Sequence, residues 1–258
     1  MTAKTFSRAW LLSPAPESRR QAAWGQRYQA WLAFRRNPLA MAGLIVVVLL
    51  LALSLLAPVL ATHDPNIQDL ANRLQPWSAQ HWLGTDELGR DVYSRVLYGT
   101  RVSLIVGFAT AFFASVIGLA IGLFAGFVRW ADSIIMRVMD GLMSIPSILL
   151  AIALMALSRG SVGNVVLAIT IAEIPRVSRL VRGVVLSLRE QPYVDAAIAS
   201  GTRTPVIIWR HILPNTIAPM TVQATYICAA AMLIEASLSF IGAGTPPIIP
   251  SWGNIMAE

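Results

Sequence analysis

The chain has 258 residues, of which 56% are hydrophobic and only 13% charged, with a mean hydropathy of +0.63 and a formal net charge of +7. An average soluble domain is roughly 45–50% apolar and about 25% charged, so an ordinary cytosolic globule is excluded, as are a disordered chain and a collagen-like repeat. A single cysteine, Cys228, cannot form an internal disulfide and rules out a stapled extracellular scaffold.

The apolar residues are gathered into blocks. Residues 37–62 carry no charge, and 39–61 as a helix reach about 35 Å at roughly 1.5 Å per residue, enough to cross a bilayer. The block begins too deep in the chain and is too long for the apolar part of a cleaved signal peptide, so it reads as a retained anchor. A second charge-free run lies between Arg101 and Arg129. Within it Thr110, Ala114, Gly118, Gly122 and Gly126 recur at four-residue spacing. Either this is the ordinary abundance of small residues in spans, or it is a ridge against which another helix packs closely; the unbroken ladder favours packing. A third span is expected near 137–157, kinked at Pro146, and a fourth near 162–181, interrupted by Glu173 and Pro175. The fifth covers 216–241 and holds one charge, Glu235.

Five spans with the N-terminus inside place fifteen of the 20 Lys and Arg residues on the cytoplasmic side, Lys4, Arg8 and Arg129 among them, and five outside, including Arg73 and Arg159. The positive-inside rule therefore predicts a cytoplasmic N-terminus. The expected organisation is a cytoplasmic tail over 1–38, an anchor over 39–61, an extracytoplasmic segment over 62–101 and a membrane core over 102–258 with a cytoplasmic insert at 190–214. In that insert, residues 193–200 favour a short helix, Gly201 suits its left-handed cap, Pro205 starts a second helix and Pro214 closes it. Such an elbow would sit in a groove of another protein, with Ala196 and Ala197 allowing close approach and Asp195 and Arg203 at the rim. An interfacial helix touching only lipid headgroups is the alternative.

The elbow carries a recognisable pattern. Asp195-Ala196-Ala197, three residues, Gly201, and then His211-Ile212-Leu213-Pro214 resembles the "EAA" loop of binding-protein-dependent ABC importer permeases. Two positions depart from that form: Asp195 stands where the family usually has Glu, keeping the charge with a shorter reach, and His211 occupies the usual Ile position, with Ile212 after it. Two further stretches resemble the C-type permease subunit of dipeptide, oligopeptide and nickel importers. One runs from His81-Trp82-Leu83-Gly84-Thr85-Asp86 through Gly89-Arg90-Asp91 to Tyr98-Gly99. The other combines Glu235-Ala236-Ser237-Leu238-Ser239-Phe240-Ile241-Gly242 with Pro250-Ser251-Trp252-Gly253-Asn254. The likeness covers about residues 30–258.

The resemblance implies an all-α, polytopic transmembrane bundle of the type I ABC importer permease fold in the inner membrane. It implies a second permease subunit, two ATPase subunits carrying ATP and Mg, an extracytoplasmic binding protein that delivers short peptides or a nickel complex, and no cofactor on this chain. The elbow residues Asp195, Ala196, Ala197, Gly201, His211, Ile212, Leu213 and Pro214 would then couple to the ATPases. Family members carry a sixth span after the Ser-Trp-Gly-Asn loop, so truncation before that span is expected of a chain ending at Glu258.

No catalytic centre is legible: there is no phosphate loop ending in Lys-Ser or Lys-Thr, no His-Glu-x-x-His and no Gly-x-Ser-x-Gly. Glu235, a carboxylate within a span, either pairs with an Arg, lines the pathway or serves as a hydrogen-bonded structural group. Asp140 and Glu173 read as structural, with Arg137 and Arg176 as near partners in sequence. His63 with Asp64 and His81 with Asp86 would supply metal ligands if the external segment folded back, but this stretch is shared by peptide and metal importers, so no metal is assigned. The segment 84–91 reads as a structured loop meeting a partner. The basic N-terminus reads as a topology signal, not a nucleic-acid site. A stand-alone channel or secondary carrier is the competing function, and a membrane-anchored structural protein a third.

Overall fold

In the computed structural model, residues 8–13, 18–157 and 160–258 are described. Lys4 and Arg159, both counted in the charge asymmetry, lie outside these residues. Among the described residues the protein is helical apart from turns and one isolated antiparallel bridge, Thr85 to Asp91. It divides into two compact units, residues 1–52 and 53–258.

In the first unit, α1 (Arg8–Leu11) and α2 (Arg19–Arg36) form a small hairpin. The Ser18 hydroxyl accepts from the Gln21 amide at 3.1 Å to cap α2, and Gln21 Nε2 donates to the Trp10 carbonyl at 2.8 Å. Gly25 admits the crossing, since a Cβ there would lie 2.6 Å from the Leu11 carbonyl oxygen. Asn37 ends α2 because the residue before a proline is pushed out of the helical region, and its side-chain oxygen then caps α3 (Pro38–Leu60) through the Leu39 and Ala40 amides.

The second unit is built on α4 (Val92–Phe127), α5 (Arg129–Met143), α6 (Ser147–Ala156), α7 (Val162–Arg189), α8 (Pro192–Ala199), α9 (Thr204–Ile207), α10 (Leu213–Phe240) and α11 (Trp252–Ala257). Helices α4 and α7 are its central pair, with α10 against both. One apolar core joins Ala111 and Ala114 of α4, Val177, Val181 and Val185 of α7, and Ile227 of α10 to Val194, Ile207 and Ile212 of the elbow. A second, towards the other end, joins Val106, Ala151, Met155, Val165, Ile169, Ala231 and Leu238.

Among the described residues three rods are long and apolar enough to cross a membrane, α3, α4 and the continuous run Thr204–Phe240, and the bent pair α5 and α6 makes a fourth if it is one span. The bend expected at Pro146 is present and sharp: α5 and α6 meet at 86° across the break. Two expectations are corrected here. Helix α7 runs unbroken through Pro175 to Arg189, beyond the expected end at 181. Pro214 does not close a second helix, because α9 passes through a π-helical turn (Ile208–Ile212) directly into α10. Proline at the second position of α10 costs little: the widened turn in front of it absorbs the missing amide and the ring clash.

Candidate functional site

The four-residue ladder on α4 is a packing seam, and its partner is a second ladder. A Cβ on Gly118 would lie 2.5 Å from Val177 Cβ, one on Gly122 2.6 Å from Val181 Cβ, and one on Gly126 2.6 Å from Val185 Cγ1. Three glycines thus receive three valines at the same spacing on α7, which is how two helices approach closely where lipid supplies no hydrophobic drive. Polar ties flank the seam. Arg182 of α7 clasps Asp132 of α5 with two N–H groups, one of them at 2.6 Å, and Arg189 donates to the Gly126 carbonyl at 2.7 Å while lying over the Phe127 ring.

The elbow hangs from this seam. Helix α8 ends in a Schellman motif: the Thr202 amide reaches the Ala197 carbonyl at 3.0 Å and the Gly201 amide reaches that of Ile198 at 2.9 Å. Gly201 takes φ +74°, a conformation a side chain disfavours although the space around it is open. Val194 is fully buried beside Ile207 and Ile212 and anchors α8 to the core. With that residue inward, Asp195, Ala196, Ile198 and Ala199 face outward and Ala197 is half-buried. His211 sits 6.0 Å from the Tyr193 ring, so the second leg is stacked against the first. Leu213 is half-buried and Pro214 exposed. The outer face also includes residues the motif does not contain: Trp209, 74% exposed, forms with Pro205, Val206, Arg210 and Pro214 an open apolar groove. Its sequence signal is an aromatic directly before Arg210 in a segment already read as a docking surface.

The lone charges resolve individually. Glu235 is fully buried, and none of the ion pairs among the described residues includes it. Ser239 donates to its carboxylate at 2.8 Å, Thr245 at 3.3 Å and Ser103 at 3.5 Å. Thr245 is in turn held by Ser251 and Asn254, so the carboxylate seats the Ser-Trp-Gly-Asn loop against α10 and α4. Gly253 permits this, since a Cβ there would meet the Ala236 carbonyl oxygen at 2.4 Å. Glu173 pairs with Arg176 at 2.9 Å as expected from sequence. Asp140 pairs with Arg179, one helix away, in place of the expected Arg137.

The segment between α3 and α4 folds around its own charges. Asp86 accepts from Arg90 Nε at 2.7 Å and from the Leu88 and Arg90 amides at 2.9 Å, while Arg90 and Arg95 both reach the Glu258 carboxylate. Asp91 caps α4 and is approached by both His63 and His81, which overturns the pairing of these histidines with Asp64 and Asp86. Burial opposes ionisation of Asp91, but hydrogen bonds from the Ser94 hydroxyl, His81 and the Ser94 amide, with the charge of His63, outweigh it and hold the carboxyl below its usual range.

Comparison with known proteins accords with this geometry. Residues 118–258 match the family described as binding-protein-dependent transport system inner membrane component, and residues 25–76 match the N-terminal TM domain of oligopeptide transport permease C. A Sinorhizobium fredii protein named "Probable peptide ABC transporter permease protein y4tQ" is 55% identical over 224 residues, 87% of this chain and 77% of that one. The dipeptide transport system permease protein DppC of Alkalihalophilus pseudofirmus is 41% identical over 247 residues, 95% of this chain and 81% of that one. The oligopeptide transport system permease protein OppC of Bacillus subtilis is 37% identical over 230 residues, 89% and 75% of the two chains. These matches favour an ABC permease over a stand-alone channel or carrier and describe a transport component, not an enzyme. The chain belongs to the binding-protein-dependent transport system inner membrane component family, the multi-pass permease subunits of ABC importers.

Proposed function

We propose that the chain is the C-type permease subunit of an importer for short peptides or a related small solute, and that residues 190–214 receive the closing motion of its ATPases. In this reading five spans place the N-terminus in the cytoplasm, the anchor at 39–61 precedes the core, and residues 62–101 face outward. The other half of the pathway belongs to a second permease subunit, two ATPase subunits supply ATP and Mg, and an extracytoplasmic binding protein delivers cargo.

The observation that carries the proposal is the mechanical continuity of the elbow. Asp195, Ala196 and Ala197 lie on a short helix whose one buried side chain, Val194, is locked to α7, and Gly201 turns the chain into a rod that continues without a break to Phe240. A push on α8 therefore meets a stiff lever and not a loop. Ala196 offers little side chain and lets a partner approach the backbone; Asp195 provides a polar anchor; His211, Ile212, Leu213 and Pro214 stiffen the start of the rod. Glu235, Asp140 and Glu173 serve as structural carboxylates within the bundle.

Disulfide cross-linking of Ala196→Cys, in a Cys228→Ser background, to single cysteines in the co-expressed ATPase tests this. Cross-links that form at position 196 and change in yield with ATP are expected; labelling of position 196 only from the outer face of intact cells would overturn the assignment.

A further inference from the structure

Three side chains that the sequence keeps apart meet in the external segment. His63 follows α3, His81 lies ahead of the Thr85–Asp91 bridge, and Asp91 is the N-cap of α4. One ligand-type atom from each lies within 4.8 Å of the other two. His81 Nδ1 is 2.9 Å, and His63 Nδ1 3.9 Å, from the same atom, Asp91 Oδ1. The other carboxylate oxygen is already committed: Oδ2 accepts from the Ser94 amide at 2.8 Å, the Ser94 hydroxyl at 2.6 Å and the Thr62 hydroxyl at 3.3 Å. Those bonds fix the carboxylate with Oδ1 turned to the two imidazoles.

The spacing suits an ion. Tetrahedral coordination with bonds of about 2.1 Å sets ligand atoms about 3.4 Å apart, between the two distances to Asp91 Oδ1. The rings of His63 and His81 lie 4.7 Å apart and 30° from parallel. The His63 side chain is 45% exposed and its Nδ1 is held by a hydrogen bond with Thr62 Oγ1 at 3.0 Å, which a metal bond at the shared centre would replace. The three residues open onto a cleft of about 200 Å³ with Asp64 and Asp69 on its wall, which gives an entry path and room for a further ligand.

We propose that His63, His81 and Asp91 bind one first-row divalent cation of the zinc class, with the fourth position open to water, and that the ion clamps the segment after α3 to the start of α4. Two imidazole nitrogens and one carboxylate oxygen form a donor set that Zn²⁺ and its neighbours favour, whereas Mg²⁺ and Ca²⁺ prefer oxygen alone. The ion takes the His81 Nδ1 lone pair, so the neutral ring carries its proton on Nε2 and the His81–Asp91 hydrogen bond gives way to two metal bonds. The site depends only on the fold of residues 62–94 and is independent of cargo and of ATPase docking.

Equilibrium dialysis of the purified full-length chain in detergent, stripped with chelator and titrated with Zn²⁺, tests the site. The wild type is expected to bind one Zn²⁺ that His63→Ala binds at least about tenfold more weakly, and to show with Co²⁺ the visible absorption of a tetrahedral centre. His63→Ala is the decisive variant because that side chain is half exposed and not part of the α4 cap, so its fold persists; a melting temperature without metal matching the wild type verifies this. Equal zinc affinity in wild type and His63→Ala, or displacement of the zinc by an equimolar amount of Mg²⁺, would overturn the proposal.

Discussion

The α4–α7 seam and the α8–α9 elbow are both organised by glycine, yet for opposite reasons. In the seam Gly118, Gly122 and Gly126 are needed because a neighbour occupies the space of a side chain, and each meets a valine in the bundle interior, with backbone carbonyls also close to Gly118 and Gly122. In the elbow Gly201 has open space around it and is needed for its φ of +74°. The first kind of glycine determines whether the bundle assembles. The second shapes a surface that an assembled bundle presents. Substitutions in the two regions should therefore fail differently.

The largest effect is expected at the seam. Gly122→Val forces a branched side chain into Val181 and towards the Ser178 carbonyl oxygen, which is 2.7 Å from the site of the new Cβ. Overpacking of this kind costs about 3 kcal/mol. The thermal midpoint in detergent should fall steeply, and Val181→Ala should restore part of it; an unchanged midpoint would mean the helices separate at no cost and the seam is not the framework. A smaller effect is expected where the two regions join. Val194→Ala removes two buried methyl groups, worth about 1.6 kcal/mol at roughly 0.8 per group, and unlatches α8 from α7. Proteolysis within 191–203 should accelerate while the bundle keeps its midpoint. Cleavage at the wild-type rate would show that α8 is held by something other than Val194.

The smallest effect on stability, with the most specific effect on function, is expected at the corner. Gly201→Asp imposes about 1 kcal/mol of left-handed backbone strain, the low end of the range because Asp is among the side chains that enter this region, and meets no neighbour. Membrane insertion should be intact and co-purification of the ATPase reduced. Full ATPase recovery with this variant would break the comparison, since the corner would then be neither strained nor used.

How much was legible depended on the range of each interaction. The glycine ladder, the left-handed cap at Gly201, the Glu173–Arg176 pair and the apolar rods are written within a few residues of sequence, where helical spacing and backbone sterics act. Pro146 and Pro214 behave differently, and only the first bends the chain as its sequence suggests. A proline reports only a missing donor and a restricted neighbour, and whether the chain breaks, as at Pro146, or widens into a π turn and continues, as before Pro214, depends on what the following helix packs against. The true partner of Asp140, the Asp132–Arg182 clasp and the seating of the Ser-Trp-Gly-Asn loop on Glu235 were beyond reach, since each joins segments that no sequence spacing relates.

From its residues alone this protein declared a bilayer as its solvent, a ridge of small side chains seeking a close partner, and a short outward-facing helix ending at a glycine. Only the folded chain decided that the ridge meets Val177, Val181 and Val185, that the elbow is one piece with α10, and that His63 and His81 converge on Asp91. The physical reason is that helical periodicity and backbone strain act over one or two turns, whereas the choice of partner is made by shape and charge complementarity between elements that meet only after the chain has folded.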